Sequence, residues 1–186
     1  MAQPIFLIGY MGSGKSTLGR EVARRTGLQF IDLDTYIEAR FHANVRDIFA
    51  QKGEETFRLM EHRMLSEVAE FEDVIIACGG GTPCFHSNMD IINSHGTSIL
   101  LCASESILHH RLVRGRHKRP LLAGKTDEEI LHIIRQGTEA RQPYYSLAAH
   151  TFNTDKLETI EEIDTTTTLF INTFLTSSCH QPITKP

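Results

Sequence analysis

Short apolar runs alternate with segments of helical period along the chain. PIFLIG (4–9), QFIDL (29–33), DVIIAC (73–78) and TSILLC (97–102) read as strands, and a shorter run at 151–153 is a candidate fifth. Between them, a helix starting near Lys15 carries Leu18, Val22 and Ala23 on one stripe and stops at Gly27, a left-handed cap. Helical segments follow at 35–41, at 45–52 before Gly53, and at 55–71. The last places Phe57, Met60, Met64, Val68 and Phe71 at spacings of three and four, which marks a core-facing stripe. One helix precedes Gly96 and another opens at Ser104. Thr126-Asp-Glu-Glu forms a capping box whose helix runs to about Arg141.

The final helix, 159–175, contains four consecutive threonines at 165–168. β-Branched side chains weaken a helix, so packing of Ile160, Ile163, Leu169 and Phe170 has to compensate. Strands alternating with helices predict an α/β fold, a parallel sheet with helices on both faces. No repeat or long linker divides the chain. The expected organisation is one domain over 1–175, with substrate-binding helices at 34–71 and a lid at 112–125, and a disordered tail at 176–186 that has little to bury.

Composition narrows this picture. A chain of 186 residues suits one soluble globular domain, and a net charge of −4 argues against a dedicated nucleic-acid binder. No apolar stretch approaches the roughly 20 residues of a bilayer span, so neither membrane insertion nor secretion is indicated. Cys78, Cys84, Cys102 and Cys179 form no CxxC pair, which disfavours zinc and disulfides and points to a reduced, cytoplasmic protein. Cys78 and Cys102 each end an apolar run and read as small buried hydrophobes. The average charge conceals a local excess: between Ser106 and Thr126 stand six basic residues and no acid.

The strongest chemical signal is Gly9-Tyr-Met-Gly-Ser-Gly14-Lys15-Ser16, which fits GxxxxGK[ST] between a strand and a helix start. Backbone N–H groups there can turn inward around a phosphate, Lys15 can reach the outer phosphates, and Ser16 can ligate Mg²⁺. Only FIDLD ends a neighbouring strand with acid, so Asp32 is the candidate for a metal-bound water. Residues i and i+2 of a strand share a face, so Asp34 points the same way as Asp32 about 6.5–7 Å further out, placed to orient a hydroxyl or accept its proton. Capping of a helix beginning at Thr35 is the plainer role for Asp34.

Three further features fit a small second substrate. Arg58 lies at the edge of the 55–71 stripe with Glu61 three residues on, either a held functional arginine or an ordinary surface pair. Gly79, Gly80 and Gly81 directly follow a buried strand, where ligands bind in open α/β sheets; a flexible turn is the alternative. GRHKRPLLAG reads as a lid or as a solvated loop. As a lid it brings Arg119, beside Pro120, to the transferred phosphoryl group, while Arg114 lies over the adenine.

Taken together, GYMGSGKSTLG (9–19), FIDLD (30–34), TFRLME (56–61), CGGGT (78–82), KRPLL (118–122) and RQPYY (141–145) resemble the shikimate kinase family, in its order and at its intervals, over about residues 3–175. The resemblance implies a monomeric, cytoplasmic enzyme of the three-layer nucleoside-monophosphate-kinase fold. Its sheet would have five parallel strands in the order 2-3-1-4-5, and it would phosphorylate the shikimate 3-hydroxyl with ATP and Mg²⁺. By the same resemblance Asp34, Arg58, Gly80 and Arg141, with Gly79 and Gly81 beside them, hold shikimate. Gly12, Ser13, Gly14, Lys15, Ser16 and Thr17 wrap the phosphates, Ser16 and Asp32 serve Mg²⁺, and Arg119 enters with the lid. Thr151-Phe-Asn-Thr-Asp155 replaces the family's Ile-Asp-Thr type strand end, which puts Asn153 beside the adenine. A gluconate or nucleoside-monophosphate kinase on the same fold is the nearest alternative. Ser16-Thr17 after Lys15, in place of the adenylate-kinase proline and glycine, and two separated arginines favour a small acid. A non-catalytic nucleotide switch is a third reading, against which stands the absence of an NKxD motif.

Overall fold

The computed structural model describes residues 2–175. Five parallel strands, β1 (Ile5–Ile8), β2 (Gln29–Asp32), β3 (Val74–Ala77), β4 (Thr97–Cys102) and β5 (His150–Asn153), form one sheet in the order β2-β3-β1-β4-β5. The helices are α1 (Lys15–Thr26), α2 (Leu33–Phe41), α3 (Val45–Ala69), α4 (Asn88–His95), α5 (Glu105–Arg114), α6 (Asp127–Tyr145) and α7 (Ile160–Phe174), with short 3₁₀ turns at Thr82–Cys84, Arg116–Lys118 and Pro120–Leu122.

β1 is buried on both faces because it lies between β3 and β4, with Phe6 opposite Ile76 on one side and Ser98 on the other. Successive side chains of a strand point to opposite faces, and the core divides accordingly. Phe6 and Ile8 join Ile37, Phe57, Leu65 and Ile130 from α2, α3 and α6 on one face. Ile5 and Leu7 join Leu18, Val22 and Phe170 from α1 and α7 on the other. Both faces are thus sealed, and the exposed strand ends carry the loops after β1, β2 and β3 to one rim. No helix among the described residues is long and apolar enough to cross a membrane.

Several local expectations are corrected. β2 stops pairing at Asp32, opposite Ala77, and the chain turns directly into α2. Asp34 therefore sits in the first helical turn rather than on a strand, and Asp32 is the N-cap, accepting from the Thr35 amide at 3.4 Å. The break expected at Gly53 is present, since its backbone leaves the helical region at φ 78° and ψ 168° and makes α3 two helical runs that meet at a kink. α6 continues past Arg141 to Tyr145 and contains Pro143. In α7, Ile160 is 87% exposed and Leu169 also faces solvent, while Thr166 and Thr167 are buried and Thr166 Oγ1 donates to the Lys156 carbonyl at 2.6 Å. Half of the threonine run is thus packed, while Thr165 and Thr168 face solvent and the buried Thr167 hydroxyl has no hydrogen-bond partner. Cys78 is buried as expected, but Cys102, at the open end of β4, is exposed. Cys179 and the expected tail lie outside the described residues.

Candidate active site

The loop between β1 and α1 forms one wall of a cavity of about 560 Å³, closed on the opposite side by the end of α5, the segment 115–119, Leu157 and Glu158. Gly12 and Gly14 take left-handed φ values of 84° and 91°, which turn the backbone around the cavity. Lys15 folds back over the loop, its Nζ donating to the carbonyls of Gly9 at 2.7 Å and Tyr10 at 3.0 Å. Burial pushes its pKa down to about 8, against the pull of the Asp34 and Asp32 carboxylates. The ammonium is loosely protonated and waits for a stronger anion. Ser16 Oγ donates to Asp32 Oδ2 at 2.8 Å, so a hydroxyl and a carboxylate stand together at the mouth of the loop.

Arg119 lines the same cavity from the lid, half-buried, with Nη1 on the Gly115 carbonyl at 3.1 Å. Burial lowers its pKa. The lid is not free along its length, because Leu122 is 0% exposed and belongs to the core. Arg114 lines the cavity from an exposed position, 3.4 Å from Glu158. Two expected contacts do not reach it. Ser13 is buried, and its N–H donates to the Tyr10 carbonyl at 3.1 Å. Asn153 Oδ1 accepts from the Asp155 amide at 3.0 Å, closing a turn outside the cavity lining.

A second cavity, about 200 Å³, adjoins the first across the loop after β1. Its lining combines Tyr10, Phe49 and Phe57 with Asp34, Arg58, Arg141 and residues 79–81. The two arginines make it a receptor for a small anion with an apolar body. Arg58 is held by Glu61 at 2.9 Å and Glu54 at 3.1 Å and lies 4.2 Å from the Phe85 ring centroid. Arg141 Nη1 donates to the Gly137 carbonyl at 2.7 Å and rests over the Tyr10 ring. Residues 79–81 must be close to backbone: a β-carbon on Gly81 would lie 2.7 Å from Arg58 Nη2, and one on Gly79 would lie 3.0 Å from Asp34 Oδ1. Tyr145 fixes Gly80 by donating from its hydroxyl to the Gly80 carbonyl at 2.7 Å.

Asp34 lines the smaller cavity and interacts electrostatically with Lys15 of the larger one. Burial, then the Asp32 and Glu61 carboxylates, push its pKa up to about 6, and Lys15 draws it back. A carboxylate that is ionised at neutral pH yet holds a proton comfortably is suited to general-base work. Although α2 starts two residues earlier than expected, the first turn still aims Asp34 into the small cavity.

The structure decides one pair that the sequence leaves open, and it adds two contributors with no local signal. Glu61 is 1% exposed and also accepts from Thr82 Oγ1 at 2.5 Å, so the pair with Arg58 is internal rather than superficial. Arg111 was counted only as part of the basic run. It donates to the Gly12 carbonyl at 3.1 Å, the Thr154 carbonyl at 2.9 Å and Glu158 at 2.6 Å, tying the phosphate loop to the segment after β5. Tyr145 lies within the RQPYY motif, but nothing local marks its hydroxyl as Gly80's anchor.

The family model described as shikimate kinase matches residues 11–172. A shikimate kinase of Phocaeicola vulgatus is 50% identical over 159 residues, covering 86% of this chain and 91% of its own. One from Flavobacterium johnsoniae is 39% identical over 87% of this chain and 96% of its own. Among solved structures, the Bacteroides thetaiotaomicron shikimate kinase superposes with a TM-score of 0.89 at 44% identity, covering 92% of this chain and 97% of that one. The Acinetobacter baumannii shikimate kinase in complex with shikimate gives a TM-score of 0.80 at 28% identity, with 97% of each chain covered. A Sinorhizobium meliloti gluconokinase, with a TM-score of 0.54 at 19% identity over 96% of this chain and 98% of that one, shares the fold alone.

Proposed function

The chain belongs to the shikimate kinase family, and from this premise we propose that its larger cavity takes ATP, its smaller one shikimate, and that Asp34 links them in phosphorylation of the shikimate 3-hydroxyl. The observation that carries this division of labour is the position of Asp34, in the lining of the acid cavity and first among the carboxylates acting on Lys15.

Arg58 and Arg141 grip the shikimate carboxylate, and the apolar faces of Phe49 and Phe57 receive the ring. The Gly80 N–H and Asp34 fix the ring hydroxyls. Asp34 accepts the 3-hydroxyl proton as the oxygen attacks the γ-phosphorus; the bond from that phosphorus to the β-phosphate oxygen breaks, giving shikimate 3-phosphate and ADP. Lys15 exchanges its carbonyl partners for phosphate oxygens, and Arg119 approaches the transferred group from the lid, so positive charge meets the charge that spreads over it. Closing the segment around Leu121, which lines the acid cavity, removes water that would otherwise compete for the phosphoryl group.

Ser16 and Asp32 fit Mg²⁺. Both present hard oxygen donors beside the phosphate loop, a hydroxyl and a carboxylate 2.8 Å apart, the donor types that this cation prefers. When bound, the ion supplies charge neutralisation of the phosphates. Residues 1–175 act as one catalytic domain, and the family resemblance is what supports a cytoplasmic monomer. The test is an ADP-release assay with shikimate, gluconate and AMP side by side. Turnover of shikimate alone is expected, and rapid turnover of only gluconate or AMP would overturn the reading.

A further inference from the structure

From Glu61, the partner of Arg58 in the small cavity, a chain of buried polar contacts leads to a residue outside both cavity linings. Glu61 accepts from Thr82 Oγ1 at 2.5 Å, the Thr82 carbonyl accepts from Asn88 Nδ2 at 2.8 Å, and Asn88 Oδ1 faces His62 Nδ1 at 2.7 Å. Thr82 and Asn88 are both 0% exposed. A carbonyl oxygen only accepts, so Thr82 dictates which way the Asn88 amide points, and that orientation requires His62 to present Nδ1–H.

The backbone between these anchors is unfavourable by itself. His86 and Ser87 adopt left-handed φ values of 47° and 53°, which side chains of this kind hold only where surrounding contacts enforce them. The same segment carries Phe85, whose ring lies against the Arg58 guanidinium. Two of the groups that set the Glu61–Arg58 pair, the Thr82 hydroxyl and the Phe85 ring, thus come from a strained turn that Asn88 closes twice, by its backbone N–H on the Phe85 carbonyl at 2.9 Å and by its side-chain amide on the Thr82 carbonyl.

We propose that Asn88 is a positioning residue for acid binding: its side chain, oriented by His62, holds the 82–88 turn in the form that presents Thr82 and Phe85 to the Glu61–Arg58 pair. The inference rests on the reading of Arg58 as a carboxylate-binding arginine. A merely structural role would weaken both substrates together, whereas a positioning role weakens the acid alone.

Calorimetric titration of shikimate and of ADP into the full-length wild type, Asn88→Asp, Asn88→Ala, His62→Ala and His62→Asn tests this. Asparagine at 62 can place an amide N–H where Nδ1–H stood. Removing one buried hydrogen bond of this kind should raise the shikimate Kd roughly tenfold in both Asn88 variants and roughly threefold in His62→Ala. His62→Asn should recover to within about twofold of wild type, and the ADP Kd should stay within about twofold throughout. Unchanged shikimate affinity in Asn88→Asp and His62→Ala, parallel weakening of ADP, or no recovery in His62→Asn would overturn the proposal. Should the Asn88 variants fold poorly, the His62 pair decides alone. A wild type that ignores shikimate brings down the functional reading together with this one; a wild type that phosphorylates it beside variants of equal affinity brings down this one only.

Discussion

Replacing Asp34 by asparagine should cripple the enzyme and stabilise the empty protein in the same stroke. The folded protein raises this carboxyl from an ordinary pKa of 3.8 to about 6, chiefly through burial and then through Asp32 and Glu61. Folding therefore binds the Asp34 proton more tightly than the unfolded chain does. As pH climbs from below 4 to above 6, the wild type loses stability that a permanently neutral amide keeps. The interval corresponds to about 3 kcal/mol. Asp34 keeps some solvent contact in its open cavity, which trims the expected gain of Asp34→Asn at pH 8 to about 2–3 kcal/mol, or roughly 5–10 °C in Tm for a domain of this size. Below pH 4 the two proteins should melt alike. Urea or thermal unfolding at pH 3.5, 5, 6.5 and 8, each beside an ADP-release assay, reads both effects; the turnover of the variant should fall by about 100-fold or more. A variant no more stable than wild type at pH 8, or one equally stabilised at pH 3.5, would refute the argument that Asp34 is held ionised against the preference of its surroundings.

Other substitutions separate the two cavities. Arg58→Lys keeps a charge but loses the fork, and should raise the KM for shikimate roughly 10- to 100-fold with the KM for ATP unchanged, as steady-state kinetics would show. In Gly81→Ala the new β-carbon meets Arg58 Nη2 at 2.7 Å, so the shikimate Kd from calorimetry should rise about tenfold or more while ADP binds as before. Arg111→Met removes the ties to Gly12, Thr154 and Glu158 and should do the reverse, raising the KM for ATP roughly tenfold and leaving shikimate affinity within about twofold.

The parts legible in the sequence were those whose causes are local. Phe6, Ile76 and Leu101 sit in apolar runs because both faces of their strands are covered, and the capping box at Thr126 and Glu129 forms as the spacing requires. Lys15 and Ser16 follow a loop whose left-handed turns fall at Gly12 and Gly14, which the motif itself marks. What stayed hidden depends on distant partners or on where pairing stops. Nothing in FIDLD shows that β2 ends opposite Ala77, so Asp34 was expected one structural state away from where it lies, although its aim was correct. Arg111 finds its acceptors 99 and 43 residues away, and a helix pattern cannot distinguish it from Arg114. Glu61 has the spacing of a surface ion pair; its burial follows from Thr82 and from α4 packing over it, which belong to tertiary structure.

Tyr10 lines one pocket and steadies a residue of the other. Its ring lines the acid cavity beneath Arg141, while its backbone carbonyl is one of the two that hold Lys15. A substitution at Tyr10 therefore reshapes the wall of the acid cavity while the carbonyl that holds the phosphate-binding lysine stays in the backbone, so a compound spanning both pockets keeps one anchor that no side-chain change removes.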